Sequence, residues 1–144
     1  MNETFSFVMP LAFECLREAV QYYRIHQKFT EDHLDSLFDF YGNIFEGAIE
    51  LLENYKITQY QTEDGLSKVY KVGNKKEQYT VYENINFCYC PVFRYQVLEL
   101  HNCLTCKHIL AVTVADAMGI VIKEIVTPSQ MVEFLNGQLN HIIE

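Results

Sequence analysis

Apolar residues recur at helical spacing through the first third of the chain. Between Phe13 and Tyr23 they fall at Phe13, Leu16, Ala19, Val20 and Tyr23, with Glu14, Arg17, Glu18 and Gln21 on the opposite arc. That pattern predicts an amphipathic helix. Thr30 suits the N-cap of a second helix, because Glu31 and Asp32 follow at its positively polarised end and Leu34, Leu37, Phe38 and Tyr41 form a stripe. Asn43 followed by Glu46 resembles a capping box, so a third helix is expected through Ile49, Leu51 and Leu52. Near residue 55 the period changes to two. Lys56 to Gln61 alternates, Glu63-Asp64-Gly65 signals a turn, Leu66 to Val72 alternates again, and Gly73-Asn74 marks a second turn before Gln78 to Tyr82. The expectation is a three-stranded antiparallel β meander. A further helix is expected from Ile109 to Met118, and the segment Ile120-Val121-Ile122 after it is apolar too. Thr127-Pro128-Ser129-Gln130 then opens a last helix, with a Thr cap, Pro at the first position and Gln at the third. In that helix Met131, Val132, Phe134, Leu135, Leu139, Ile142 and Ile143 share one face, which either covers the chain's own core or meets a partner. The fold class expected is α+β, with N-terminal helices over residues 1–54 and the meander, metal motif and C-terminal helices over 55–144, in one compact unit.

Composition narrows the function. The chain has 144 residues, 49% of them hydrophobic, the size and content of one globular domain. Eleven basic against nineteen acidic residues leave a net charge of −8, which argues against an autonomous nucleic-acid binder. Ten acids and three bases lie within residues 1–54. Glu46, Glu50 and Glu53 read there as a solvated helix face, since no Glu-x-x-His motif accompanies them. Lys68, Lys71, Lys75 and Lys76 interleave with Tyr70, Tyr79 and Tyr82, a composition that can touch phosphates and stack on bases. Residues 55–82 carry only five bases against three acids, so a soluble strand edge is the expectation for them. No apolar run approaches the roughly 18 residues of a membrane span. Met1 to Thr4 opens on an acid rather than a basic segment, so an intracellular protein without a secretory signal is expected.

The chemistry gathers in one segment. Four of the five cysteines lie between Cys88 and Cys106, in Cys88-Tyr89-Cys90 and Cys103-Leu104-Thr105-Cys106-Lys107-His108. An odd total and a Cys-x-Cys pair count against a disulfide framework, whereas zinc accounts for the cluster. On an extended chain residues i and i+2 point the same way, so Cys88 and Cys90 can present both thiols to one ion. Cys106 and His108 would stand about 200° apart inside a helix. They can converge if Cys106 precedes a helix that starts near Lys107. Two arrangements are then open: Cys88, Cys90, Cys106 and His108, or a Cys₄ set in which Cys103 replaces the histidine, with His101 a further spare. Either is closed to water, which makes the ion structural rather than catalytic. Cys15 reads as a small core side chain. His26, His33 and His141 lie on helices as solvent-facing or satisfied core residues. No phosphate loop, nucleophile elbow or His-Glu-x-x-His accompanies them, so no enzyme is expected.

Cys88-x-Cys90, fifteen intervening residues and Cys106-x-His108 resemble the SWIM zinc-finger motif, C-x-C-x(n)-C-x-H. Phe93 takes the aromatic position after the first pair, and Ala111 completes the C-x-H-x-x-A form of the branch of small SWIM proteins from Shu-type recombination complexes. The specific likeness covers residues 86–119, and beyond them it is one of layout and length. It implies that Cys88, Cys90, Cys106 and His108 hold one structural Zn²⁺ in a ββα-like motif, and that Cys103 and His101 fall in the variable spacer. It also implies a nuclear, non-enzymatic subunit that pairs with a recombinase paralogue of the Rad family. Such a heterodimer supports the strand-exchange recombinase on single-stranded DNA. The alternative is a direct DNA-binding or transposon-derived SWIM module.

Overall fold

The N-terminal apolar stripes become three helices, α1 (Glu3–His26), α2 (Glu31–Tyr41) and α3 (Asn43–Asn54). This computed structural model describes the backbone of residues 3–73 and 76–143, and side chains over 10–73 and 76–136. Helix α1 buries Ala12, Leu16, Ala19 and Val20. Thr30 caps α2, its hydroxyl accepting the His33 N–H at 3.0 Å. The capping box expected at Asn43 does not form. Only Gly42 separates α2 from α3, so the C-cap of one and the N-cap of the other fall on the same residue, at φ 54°. Asn43 is already inside the helix and has no extended position from which to cap.

The meander is present as β1 (Thr58–Thr62), β2 (Lys68–Gly73) and β3 (Gln78–Tyr82), paired antiparallel in sequence order. The turn expected at Gly73-Asn74 and the Lys75 beside it fall partly outside the described residues. A fourth strand, β4 (Ile122–Val126), joins β1 in parallel and gives the order β3-β2-β1-β4. Sequence reading saw only a short apolar segment there, because Lys123-Glu124 interrupts any alternation. Before β4 runs α4 (Lys107–Met118), and after it α5 (Pro128–Ile143). The cap of α5 is reciprocal. Thr127 N–H donates to the Gln130 side chain at 2.9 Å, and Gln130 N–H donates to the Thr127 hydroxyl at 3.2 Å.

The sheet separates two apolar layers. On one face α4 buries Ile109, Leu110, Ala111, Val112, Val114, Ala115 and Ala117, and packs against α1, α3, β2 and β3. One core cluster joins Leu16, Leu37, Phe45, Val72, Val81 and Leu110, so the N-terminal helices and the sheet share it. Helix α3 crosses the start of α4 at Gly47, where a Cβ would stand 3.1 Å from Lys107 Cδ and 3.3 Å from its Cβ. A polar chain threads the same layer. Gln59 donates to the Tyr70 hydroxyl at 2.9 Å, and that hydroxyl donates to Asp116 at 3.3 Å. Arg24 reaches the other Asp116 oxygen at 3.2 Å. On the opposite face α5 seats Met131 against Val69 and Val126 and stacks Phe134 on Tyr60, with ring centroids 5.0 Å apart. Two of the four described residues of its predicted face, Met131 and Phe134, therefore join a second small core. Val132 and Leu135 stay exposed, and the side chains of Leu139, Ile142 and Ile143 lie outside the described residues. Among the described residues no helix is long and apolar enough to cross a membrane.

Ala111 is fully buried one helical turn beyond Lys107, on the side where α3 approaches. Ala111→Leu is expected to overpack this contact and lower stability by about 1–3 kcal/mol, read as a fall in the denaturation midpoint.

Candidate metal centre

Two irregular segments bring the cysteines and the histidine together. After β3 the chain turns at 83–84 and runs without strand pairing to a bend at Cys90. The first pair thus stands on a loop rather than on the strand end expected for a ββα-like motif. Cys88 and Cys90 nevertheless both enter one buried group. The spacer then forms a π-helical segment, Phe93–Glu99, that sequence reading did not anticipate. Its first turn buries Phe93, whose N–H lies 3.5 Å from Cys90 Sγ, and Val97 follows on the buried side. Cys106 is the N-cap of α4, with extended backbone at φ −113° and ψ 167°, and His108 occupies the first turn. That is the helix-entry placement at which this pair can converge.

The result is a buried group of Cys88, Cys90, Cys106 and His108, with one donor atom from each lying within 4.8 Å of the others. His108 points its Nδ1 at Cys88 Sγ, 3.9 Å away, and the Tyr79 ring packs against the imidazole at 4.5 Å between centroids. A tetrahedral zinc ion with bonds of about 2.0–2.3 Å sets its donors roughly 3.5–3.8 Å apart, so the group fits one ion with small adjustments. The electrostatics agree. Burial, with Cys88 and Cys90 beside it, pushes the Cys106 thiol far up, whereas hydrogen bonds from Cys106 and Cys88 pull Cys90 far down. Three thiols this close cannot all ionise unaided, and a divalent cation removes the conflict by binding all of them as thiolates.

Cys103 and His101 are half-buried and outside the group. Cys103 sits with the spacer carbonyls, its N–H donating to Gln96 at 3.1 Å. Cys15 is half-buried against the main core. His26 is exposed, stacked on Tyr22 with centroids 4.2 Å apart, and His33 contacts the same ring at 5.1 Å. The side chain of His141 is outside the described residues. Glu46, Glu50 and Glu53 are exposed, as a solvated face requires. Sequence reading overlooked a clamp that joins the two arms of the centre. The buried Thr105 hydroxyl donates to Asn86 Oδ1 at 2.6 Å, and Asn86 Nδ2 donates to the Leu104 carbonyl at 3.2 Å. The clamp lies two residues before Cys88 and one before Cys106, a pairing that no local pattern announces.

The lysine–tyrosine stripe is split by the pleat. Tyr70 and Tyr79 pack on the α4 side with the main core, whereas Tyr82 and Lys71 lie on the α5 side. Lys71 stands over Phe134, 5.1 Å from its centroid, and Lys68 pairs with Glu83 at 3.7 Å.

The fold is α+β, and its most buried helix begins at a Cys/His group that could hold one metal ion. Over 133 residues, 92% of this chain, it is 28% identical to Zinc finger SWIM domain-containing protein 7 of Danio rerio, of which 95% is covered. The protein of the same name from Homo sapiens is also 28% identical, over 85% of this chain and 87% of its own length. The Mus musculus protein of that name matches at 28% over 73% of this chain and 69% of its length. The likeness to the SWIM-type zinc-finger family therefore extends well beyond the metal motif. No family model matches the chain, and no solved structure does.

Metal analysis of protein purified without added zinc is expected to find about one equivalent per chain, because folding and metal binding are coupled in such sites. Cys106→Ser or His108→Ala is expected to lose both metal and solubility, whereas Cys103→Ser keeps both. Equal damage from Cys103→Ser would restore the Cys₄ arrangement.

Proposed function

We propose that this chain is a non-enzymatic, zinc-stabilised adaptor of homologous recombination. In this reading Cys88, Cys90, Cys106 and His108 hold one structural zinc. The ion supplies a cross-link between the loop after β3 and the start of α4. With four protein donors no position is left for a substrate or an activated water. The chain's own contribution is a rigid surface. Thr105 and Asn86 keep the two arms in register, and the group is sealed by Tyr79 and Phe93.

The observation that carries the proposal is the coincidence of this closed group with the near full-length likeness to proteins named for a SWIM zinc finger. From that likeness we take the setting, a Shu-type complex in the nucleus. There the chain pairs with a recombinase paralogue of the Rad family and so supports the strand-exchange recombinase on single-stranded DNA. Exposed apolar residues remain for such a contact, among them Val132 and Leu135 on α5. Coexpression tests the pairing. The chain and the paralogue are expected to copurify as a one-to-one complex, and the chain made alone to self-associate. A monodisperse, thermally stable monomer that captures no paralogue would overturn the reading.

Direct DNA binding is supported less well. The net charge is −8, the lysines of the hairpin are partly taken up by Phe134 and Glu83, and the tyrosines face opposite sides of the sheet. The isolated chain is expected to bind single-stranded DNA no tighter than about 10 μM near physiological salt. Submicromolar binding that disappears on replacing Lys71, Lys75 and Lys76 would promote the DNA-binding reading.

A further inference from the structure

Strand β4 ends the sheet, and no described strand pairs with its outer side. Its inner side is fixed by the ladder to β1, in which Ile122 N–H donates to the Ile57 carbonyl at 2.8 Å. Successive residues of a strand turn their N–H and C=O to alternate sides. Lys123 and Ile125 therefore present theirs to the free edge. Such an edge invites pairing unless it is blunted by proline, a bulge, a covering element or a row of charges, and the two charges on β4, Lys123 and Glu124, are of opposite sign and adjacent. Here α4 and α5 cover the middle of the sheet's two faces and leave β4 exposed from Ile122 to Ile125. Three isoleucines flank the two charges around the edge. Ile120 is 51% exposed, Ile122 39% and Ile125 60%.

We propose that β4 is a docking edge that takes an extended segment of a different protein as a fifth, antiparallel strand. The unpaired backbone groups recognise a strand, and the side chains specify its chemistry. Opposite Ile125, Glu124, Lys123 and Ile122 the incoming segment reads, from its N-terminus, apolar–basic–acidic–apolar. A second copy of the chain does not meet that requirement. A two-fold axis through an antiparallel edge keeps the same face of both sheets together, so even-numbered residues can oppose only even-numbered ones. Centring the pair on Glu124 sets it against its own copy and Lys123 against Ile125. Moving the centre to Lys123 sets lysine against lysine and Ile122 against Glu124. Like charges opposed in this way are unfavourable. Centring on Ile122 or Ile125 sets isoleucine against isoleucine but leaves Lys123 opposite Val121 or Thr127 and Glu124 opposite Ile120 or Val126. No symmetric register gives either charge its opposite. The partner is thus a heterologous strand. If the pairing proposed above holds, the recombinase paralogue supplies it, but the edge is defined by this chain alone.

A synthetic peptide Thr-Val-Lys-Glu-Val-Thr, titrated into the full zinc-loaded chain, tests this directly. Saturable binding below about 1 mM is expected, with amide exchange at Lys123 and Ile125 slowed at least about tenfold. Ile125→Pro removes an outward N–H without touching the β1 ladder, a position where an edge strand tolerates proline. It is expected to abolish binding while leaving the zinc content unchanged. Should that variant fail to fold, Lys123→Glu, on an exposed side chain, is expected to weaken binding roughly threefold. No saturation by about 1 mM, protection elsewhere than β4, or affinity unchanged in the variants that fold would overturn the proposal. So would a concentration-dependent homodimer that Ile125→Pro dissolves, because the edge would then belong to a second copy. Failure of the coexpressed paralogue to bind, with the peptide still binding, would overturn the partner proposed above and not the edge.

Discussion

Helix α4 is apolar on nearly every side, and a helix of that kind has to be enclosed. Most of the architecture follows from meeting that demand in a chain of this size. The sheet covers one side through Tyr70, Val72 and Val81, and α1 and α3 cover the other through Leu16, Ala19, Phe45 and Ala48. The approach of α3 is close enough to need Gly47 opposite Lys107. Because Cys106 caps α4 and His108 follows in its first turn, enclosing the helix also places two of the four metal-binding side chains. The core and the metal group are therefore coupled, and neither is complete without the other.

The segment between β3 and α4 has little else to hold it. It lacks a strand ladder, and its buried apolar residues beyond the cysteines are few, chiefly Phe93, Val97 and Leu104. Local devices compensate. The Asn86–Thr105 clamp joins its two ends, and the Gln96 carbonyl accepts from Asn102 and Cys103 at the end of the π-helical segment. Wide helical turns of this type occur where a side chain must be aimed rather than where a helix must be stable. Here the turn starts directly behind Cys90. A metal ion bridging the two arms contributes folding free energy where apolar burial is thin, the usual role of structural zinc in small domains.

The surface separates two kinds of chemistry. Most of the acidity lies on the N-terminal helices, while Lys68 and Lys71 of the hairpin, three positions apart on β2, stand on opposite faces of the sheet. Apolar exposure falls instead on several surfaces, among them β4, the outer side of α5 and the spacer with Val92, Tyr95, Leu98 and Leu100. A protein with this distribution presents shape and apolar area to another protein more readily than charge to a phosphate backbone.

Features that depend on neighbours in the chain were legible in the sequence. The Cys-x-Cys pair, Cys106 held just outside a helix, the Thr30 and Thr127 caps and the three-stranded meander all rest on local periodicity and local hydrogen bonds. The candidate group was legible for the same reason, each pair of donors being only two residues apart. Tertiary structure decided the rest. The pairing of β4 with β1 joins residues some sixty positions apart and shows no alternation in a five-residue strand. The Asn86–Thr105 clamp spans the whole spacer, and the shared cap at Gly42 depends on how tightly α2 turns into α3. The exclusion of Cys103 from the group was equally a matter of position in space, since its spacing to Cys106 is as good a metal signature as any in the chain. Local spacing determines which side chains can act together, but only the packing of α4 against the sheet and helices determines which of them meet.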